Sequence, residues 1–153
     1  MGRQRQINSP TTGQLSNLAA MPTSPPSSWA YMQQLLFVIR SADFAIDTDQ
    51  AFTKVFTGTK WKATNISAVR IAGAYGVACL GGIYPAASKA GTAIVASTQT
   101  WAGLSGAGKI ADATLAAILG TDAQTTTSLY LSLSTANTGS LTADVLVFGY
   151  VLD

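Results

Sequence analysis

The chain has 153 residues, with 9 Lys+Arg, 7 acidic residues that are all Asp, and no Glu or His; it is about one domain long and excludes His-based triads, His-ligated metals and Glu-dependent acid/base pairs. Charged residues make up 10% of it, so Thr (19), Ser (14) and Ala (25) dominate, a helix-former-poor balance that reads as all-β and built for contact rather than catalysis. The net charge of +2, with Lys54, Lys60 and Lys62 offset by Asp43, Asp47 and Asp49, lacks the basic stripe that nucleic-acid binding needs.

Residues 1–30 form the first unit. From Gln6 to Ile39 no residue is charged, and Pro10, Pro22, Pro25 and Pro26 fall in this stretch. The run Thr23-Ser24-Pro25-Pro26-Ser27-Ser28 cannot continue a helix or a central strand. Arg3 and Arg5 are not followed by the apolar block of about 7–15 residues that a secretion signal needs. The expectation is an extended N-terminal arm on a soluble, cytoplasmically made protein. Ordering such an arm costs on the order of 1–2 kcal/mol per residue. A partner surface must therefore bury Ile7, Leu15, Leu18, Met21 and Trp29 for the arm to be ordered.

Residues 31–153 read as the body. Residues 35–39 are an apolar run of strand length, ended by Arg40. Residues 50–56 alternate and stop at Thr57-Gly58-Thr59. Residues 63–71 form a longer strand with Ile66 and Ala68 on one face and Val69 and Ile71 on the other. A strand over 77–84 is interrupted by Gly81-Gly82, the signal of a bulge or of a close backbone approach. Its Cys79 is the single cysteine, which excludes an intrachain disulfide and reads as a small buried hydrophobe. The stretch 71–87 is too short and too glycine-rich to cross a membrane. Residues 92–97 and 110–115 are further short strands, although 111–119 also suits a short helix. Leu129, Leu131 and Leu133 alternate with polar neighbours. After the turn residues Asn137-Thr138-Gly139-Ser140, Val145, Val147 and Val151 face one way while Leu146, Phe148 and Tyr150 face the other. A last strand apolar on both faces must be covered on both. Eight or so short strands predict a single jelly-roll-like β-sandwich.

Three motifs suggest chemistry. Gly103-Leu104-Ser105-Gly106-Ala107-Gly108-Lys109 fits most of a phosphate-cradling loop, but Ile110 stands where a Mg²⁺-binding hydroxyl belongs. Asp43 and Asp47-Thr48-Asp49 place oxygens as some Ca²⁺ loops do, without the later ligands; a turn with Asx hydrogen bonds fits better. Trp61 and Trp101 suit the core more than a sugar platform. No catalytic residue, cofactor or metal is expected.

The stretches Gly81-Gly82-Ile83-Tyr84-Pro85-Ala86-Ala87-Ser88-Lys89-Ala90-Gly91-Thr92, Leu129-Tyr130-Leu131-Ser132-Leu133-Ser134 and Thr142-Ala143-Asp144-Val145-Leu146-Val147-Phe148-Gly149-Tyr150-Val151-Leu152 together resemble small virion structural proteins of tailed bacteriophages. The likeness is to capsid decoration or cement proteins with a jelly-roll body, and it spans residues 44–153. It implies a non-enzymatic protein on the capsid exterior, with the major capsid protein and further copies of itself, as a homodimer or homotrimer, for partners. Arg3, Arg5, Ile7, Leu15, Leu18 and Trp29 would then contact the capsid, and Phe148 and Tyr150 would lie at the subunit interface. Two other classes stay open. A neck or tail appendage that binds a receptor or glycan would gather Tyr75, Tyr84, Trp61 and Trp101 at one end of the sandwich. A virion hydrolase would bring two aspartates together in a cleft.

Overall fold

The computed structural model describes residues 32–116 and 123–153. The arm residues Arg3, Arg5, Ile7, Leu15, Leu18 and Trp29 lie outside them. Among the described residues eight strands form: β1 (Gln34–Asp43), β2 (Gln50–Ala51), β3 (Thr53–Lys54), β4 (Trp61–Ala72), β5 (Leu80–Tyr84), β6 (Ile110–Ala113), β7 (Tyr130–Thr135) and β8 (Thr142–Val151). They make a five-stranded sheet of order β3-β1-β8-β4-β6 and a three-stranded sheet of order β2-β7-β5. Every strand pairing is antiparallel.

The pairing rule identifies the topology. β1 pairs with β8, β2 with β7 and β4 with β6. β5 takes the segment around Val95 on its free side: Ile94 donates to the Ile83 carbonyl at 2.7 Å, and Ile83 donates to Val95 at 3.0 Å. First joins last, second joins second-last, and so inward, as in one long antiparallel ribbon rolled into two sheets. This is the jelly roll expected from the spacing of strands and turns.

The core lies between the sheets. Phe37, Ile39, Trp61, Ile66, Val145 and Val147 of the large sheet meet Ile83, Leu129, Leu131 and Leu133 of the small one. The Trp61 ring packs edge-on against Phe37 at 5.0 Å, and Trp101 against Phe44 at 5.7 Å. Each indole N–H has a partner, Trp61 on the Thr126 carbonyl at 2.8 Å and Trp101 on that of Gly81 at 3.2 Å. That removes the penalty for burying a polar atom.

Several elements differ from the sequence reading. Residues 50–56 are not one strand: β2 pairs with β7 in the small sheet and β3 with β1 in the large one, so the chain changes sheets at Phe52. β1 continues past Arg40, because Arg40 reaches Asp144 on the neighbouring strand and Ser41 (φ 52) forms a bulge. Residues 92–97 make isolated bridges rather than a strand. By contrast, the strand read over 110–115 does form, at residues 110–113. The Gly81-Gly82 reading holds: a Cβ on Gly82 would meet the Val95 carbonyl oxygen at 2.4 Å, and one on Gly81 the Leu133 Cα at 2.7 Å.

A tight turn beyond β5 carries strain. Ala90 donates to the Ala87 carbonyl at 3.3 Å, and the two central residues, Ser88 and Lys89, have φ of 59° and 58°. This is type I′ geometry, which favours Gly or Asn; the Asp49 carboxylate holds it by accepting the Ser88 amide. Lys89→Gly relieves a left-handed residue worth roughly 1–2 kcal/mol, less the extra entropy of glycine in the unfolded chain. The expected result is a gain of about 0.5 kcal/mol, read as a higher urea midpoint at unchanged slope; a lower midpoint would show that Lys89 makes a compensating contact.

Candidate functional site

The outer face of the large sheet is built around β8. Because both faces of β8 are apolar, it takes the centre of the sheet, between β1 and β4. Val145 and Val147 are fully buried in the core, while Leu146, Phe148 and Tyr150 point outward and are half-buried. Cross-strand register sets their neighbours: Leu35 of β1 is opposite Phe148, Val38 opposite Leu146, and Lys62 of β4 opposite Tyr150. Val38 is 8% exposed yet stands apart from the contiguous core, so it is shielded on the outer side. The structure thus brings Phe148 and Tyr150 onto one uncharged strip with Leu35, Val38 and Leu146.

Polar groups flank the strip and are paired. Arg40 donates to Asp144 at 2.5 Å, and the Ser41 amide donates to the same carboxylate at 2.8 Å. Desolvation raises the Asp144 pKa, but these two donors outweigh it and hold the carboxyl below its ordinary value. Ser67 donates to Asp112 at 2.5 Å, and Asn65 to Ser67 at 3.3 Å. None of these contacts was legible in the sequence, since each joins residues whose register only the folded sheet defines.

The chemical candidates resolve into structural roles. Asp43 accepts the Ala45 amide at 2.8 Å, the expected Asx turn. Asp49 is held below its ordinary pKa first by the Ser88 amide and then by the Ser132 hydroxyl. Asp153 is pushed down to about 2 by the Thr59 hydroxyl, the Lys60 amide and the Thr59 amide. These shifts run opposite to the raised pKa of a general acid. Among the described residues no group of three or more His, Cys, Asp or Glu side chains could hold a metal ion. Ile110, after the glycine-rich loop, begins a strand where a phosphate site needs a helix. Burial pushes the Cys79 thiol up, away from the reactive thiolate. Trp61 and Trp101 are fully buried and Tyr84 is 6% exposed, so these rings form no surface platform for a sugar. No helix among the described residues is long and apolar enough to cross a membrane.

Two structural residues escaped the sequence reading. In the sequence Asn137 is one turn residue among four, and Gly149 draws no reading of its own. Comparison with known proteins adds no relative: no protein-family model, curated protein or solved structure matches this chain.

Proposed function

We propose that this chain is a non-enzymatic component of a tailed-bacteriophage virion, made in the host cytoplasm and seated on the capsid exterior. There it decorates the shell and stabilises it by bridging subunits of the major capsid protein. The observation that carries this reading is the uncharged outer strip of the large sheet, on a body whose Asp43, Asp49, Asp112, Asp144 and Asp153 carboxylates accept hydrogen bonds from its own groups. A cement protein needs contact area and no titrating site. It stabilises by mass action, and an uncharged surface avoids the desolvation of unpaired ions. Jelly rolls recur in viral capsid domains, in lectins and in cupins, so the fold alone does not choose among these.

In this reading the arm, through Arg3, Arg5, Ile7, Leu15, Leu18 and Trp29, makes the capsid contact. Phe148 and Tyr150 serve contact between copies. The glycan-binding alternative needs exposed aromatic rings, and the buried positions of Trp61 and Trp101 count against it.

The test is copy number in purified virions, by quantitative staining against the major capsid protein. Hundreds of copies per particle are expected. A few dozen or fewer would move the protein to the neck or tail, and none would end the virion reading.

A further inference from the structure

We infer that the outer face of the large sheet is a two-fold interface, on which two copies of this chain stack face to face and antiparallel. This rests on the reading of the protein as a self-associating structural component, and it decides between the dimer and the trimer.

Symmetry limits how copies can associate. A ring of three or more needs two different surfaces on each subunit, whereas a two-fold dimer needs one self-complementary surface. The described residues present one contiguous apolar strip: Leu35, Val38, Leu146, Phe148 and Tyr150, aligned by register on β1 and β8. Of the other large exposed apolar side chains, Ile46, Val55 and Val77 belong to connections between strands, while Ile71 of β4 and Ile110 of β6 lie toward the far edge of the same sheet.

Size agrees. The five strands of the large sheet hold 38 residues, each covering about 16 Å² at ~3.3 Å rise and ~4.8 Å strand spacing. The flat footprint of about 600 Å² per copy, before side-chain relief is added, approaches the ~800 Å² per partner of a standard stable interface.

Register sets the orientation. On the β1 side the strip is apolar, with Leu35 and Val38, and on the β4 side polar, with Lys62, Asn65 and Ser67 opposite Tyr150, Phe148 and Leu146. Parallel stacking, about an axis along β8, lays the apolar row of β1 over the polar row of β4. Antiparallel stacking about an axis crossing β8 between Leu146 and Phe148 lays β1 over β1 and β8 over β8, apolar row on apolar row. Aligned packing of two sheets at about 10 Å has this form.

The experiment uses the full chain. Light scattering is expected to give twice the 15.8 kDa chain mass. Leu146→Lys is expected to weaken the dimer at least 100-fold while leaving the far-ultraviolet circular dichroism unchanged. Phe148→Cys, treated with a short bismaleimide, is expected to give a covalent dimer. Lys89→Cys, on a distant loop, is not, and neither is the parent chain, whose Cys79 is buried. A trimer, a monomer, or a dimer indifferent to Leu146→Lys would overturn the inference. So would a monomer in which Phe148→Cys is shielded from maleimide, since the chain's own arm would then cover the face. The two readings fail separately: absence from virions with an intact dimer removes only the proposed function, and decoration by a monomer removes only the interface.

Discussion

Gly149→Ala is expected to unfold the body or to lower its melting midpoint by more than about 10 °C, a loss of at least about 3 kcal/mol. Gly149 lies in the central strand, where β4 bulges between Ala63 and Asn65. A Cβ there would sit 1.9 Å from the Lys62 carbonyl oxygen and 2.9 Å from the Ala63 Cα. Both obstacles are backbone, so no rotamer change relieves them. β4 must leave β8, which breaks the longest pairing in the large sheet and opens the core beneath Trp61. Total stability of a domain is about 5–15 kcal/mol, so this one methyl removes a large share. Gly108→Ala is the control, because nothing lies within 4 Å of its added Cβ; it is expected to change stability by less than about 0.5 kcal/mol. Equal midpoints for the two variants by circular dichroism would contradict the close approach of β4 and β8.

Asn137→Ala is expected to cost about 3–5 kcal/mol, measured by urea denaturation at unchanged slope. The Asn137 side chain is 3% exposed and uses both ends of its amide. Its oxygen accepts from Gly76 at 2.8 Å and Val77 at 3.1 Å; its nitrogen donates to Ala74 at 3.0 Å and Gly139 at 2.8 Å. It therefore ties the loop after β4 to the turn before β8, and removing it takes the side-chain partner from the Gly76 and Val77 amides and the Ala74 carbonyl, while the Gly139 carbonyl keeps the Leu141 amide. Asn137→Asp gives a sharper test. The carboxylate keeps the two acceptor bonds but faces two carbonyl oxygens, which raises its pKa in the folded state above about 3.9. A raised pKa contributes stability below the unfolded value and loses it as pH rises through the folded one. Relative to the parent chain, Asn137→Asp is expected to be less damaging at pH 4 than at pH 7. An opposite slope would mean that the amide nitrogen is not aimed at those carbonyls.

These two residues mark the limit of what a single sequence discloses. The alternation in β7 and β8 is legible because one buried face imposes a period of two, and it placed Leu146, Phe148 and Tyr150 on the outer side correctly. Gly81-Gly82 is legible because adjacent glycines inside an apolar strand have few other uses. The division of residues 50–56 between two sheets is not legible: Phe52 is apolar in either arrangement, and periodicity does not record which sheet a residue joins. Arg40 misled for a related reason. A charge inside a strand reads as its end, yet here it is an outward position satisfied by Asp144, more than a hundred residues away in sequence. Asn137 and Gly149 depend on such distant neighbours for their whole effect.

The pairing of first strand with last has a consequence for how the molecule is made. Arg40 and Asp144 are 104 residues apart, so the middle of the large sheet closes only after β8 has been synthesised. Until then β1 and β4 have no strand between them, and a nascent chain holds two separate apolar edges that must avoid each other and their neighbours on the polysome. Contacts this remote in sequence slow folding toward the millisecond-to-second range. The large sheet therefore closes late, once β8 has been made and can enter between β1 and β4.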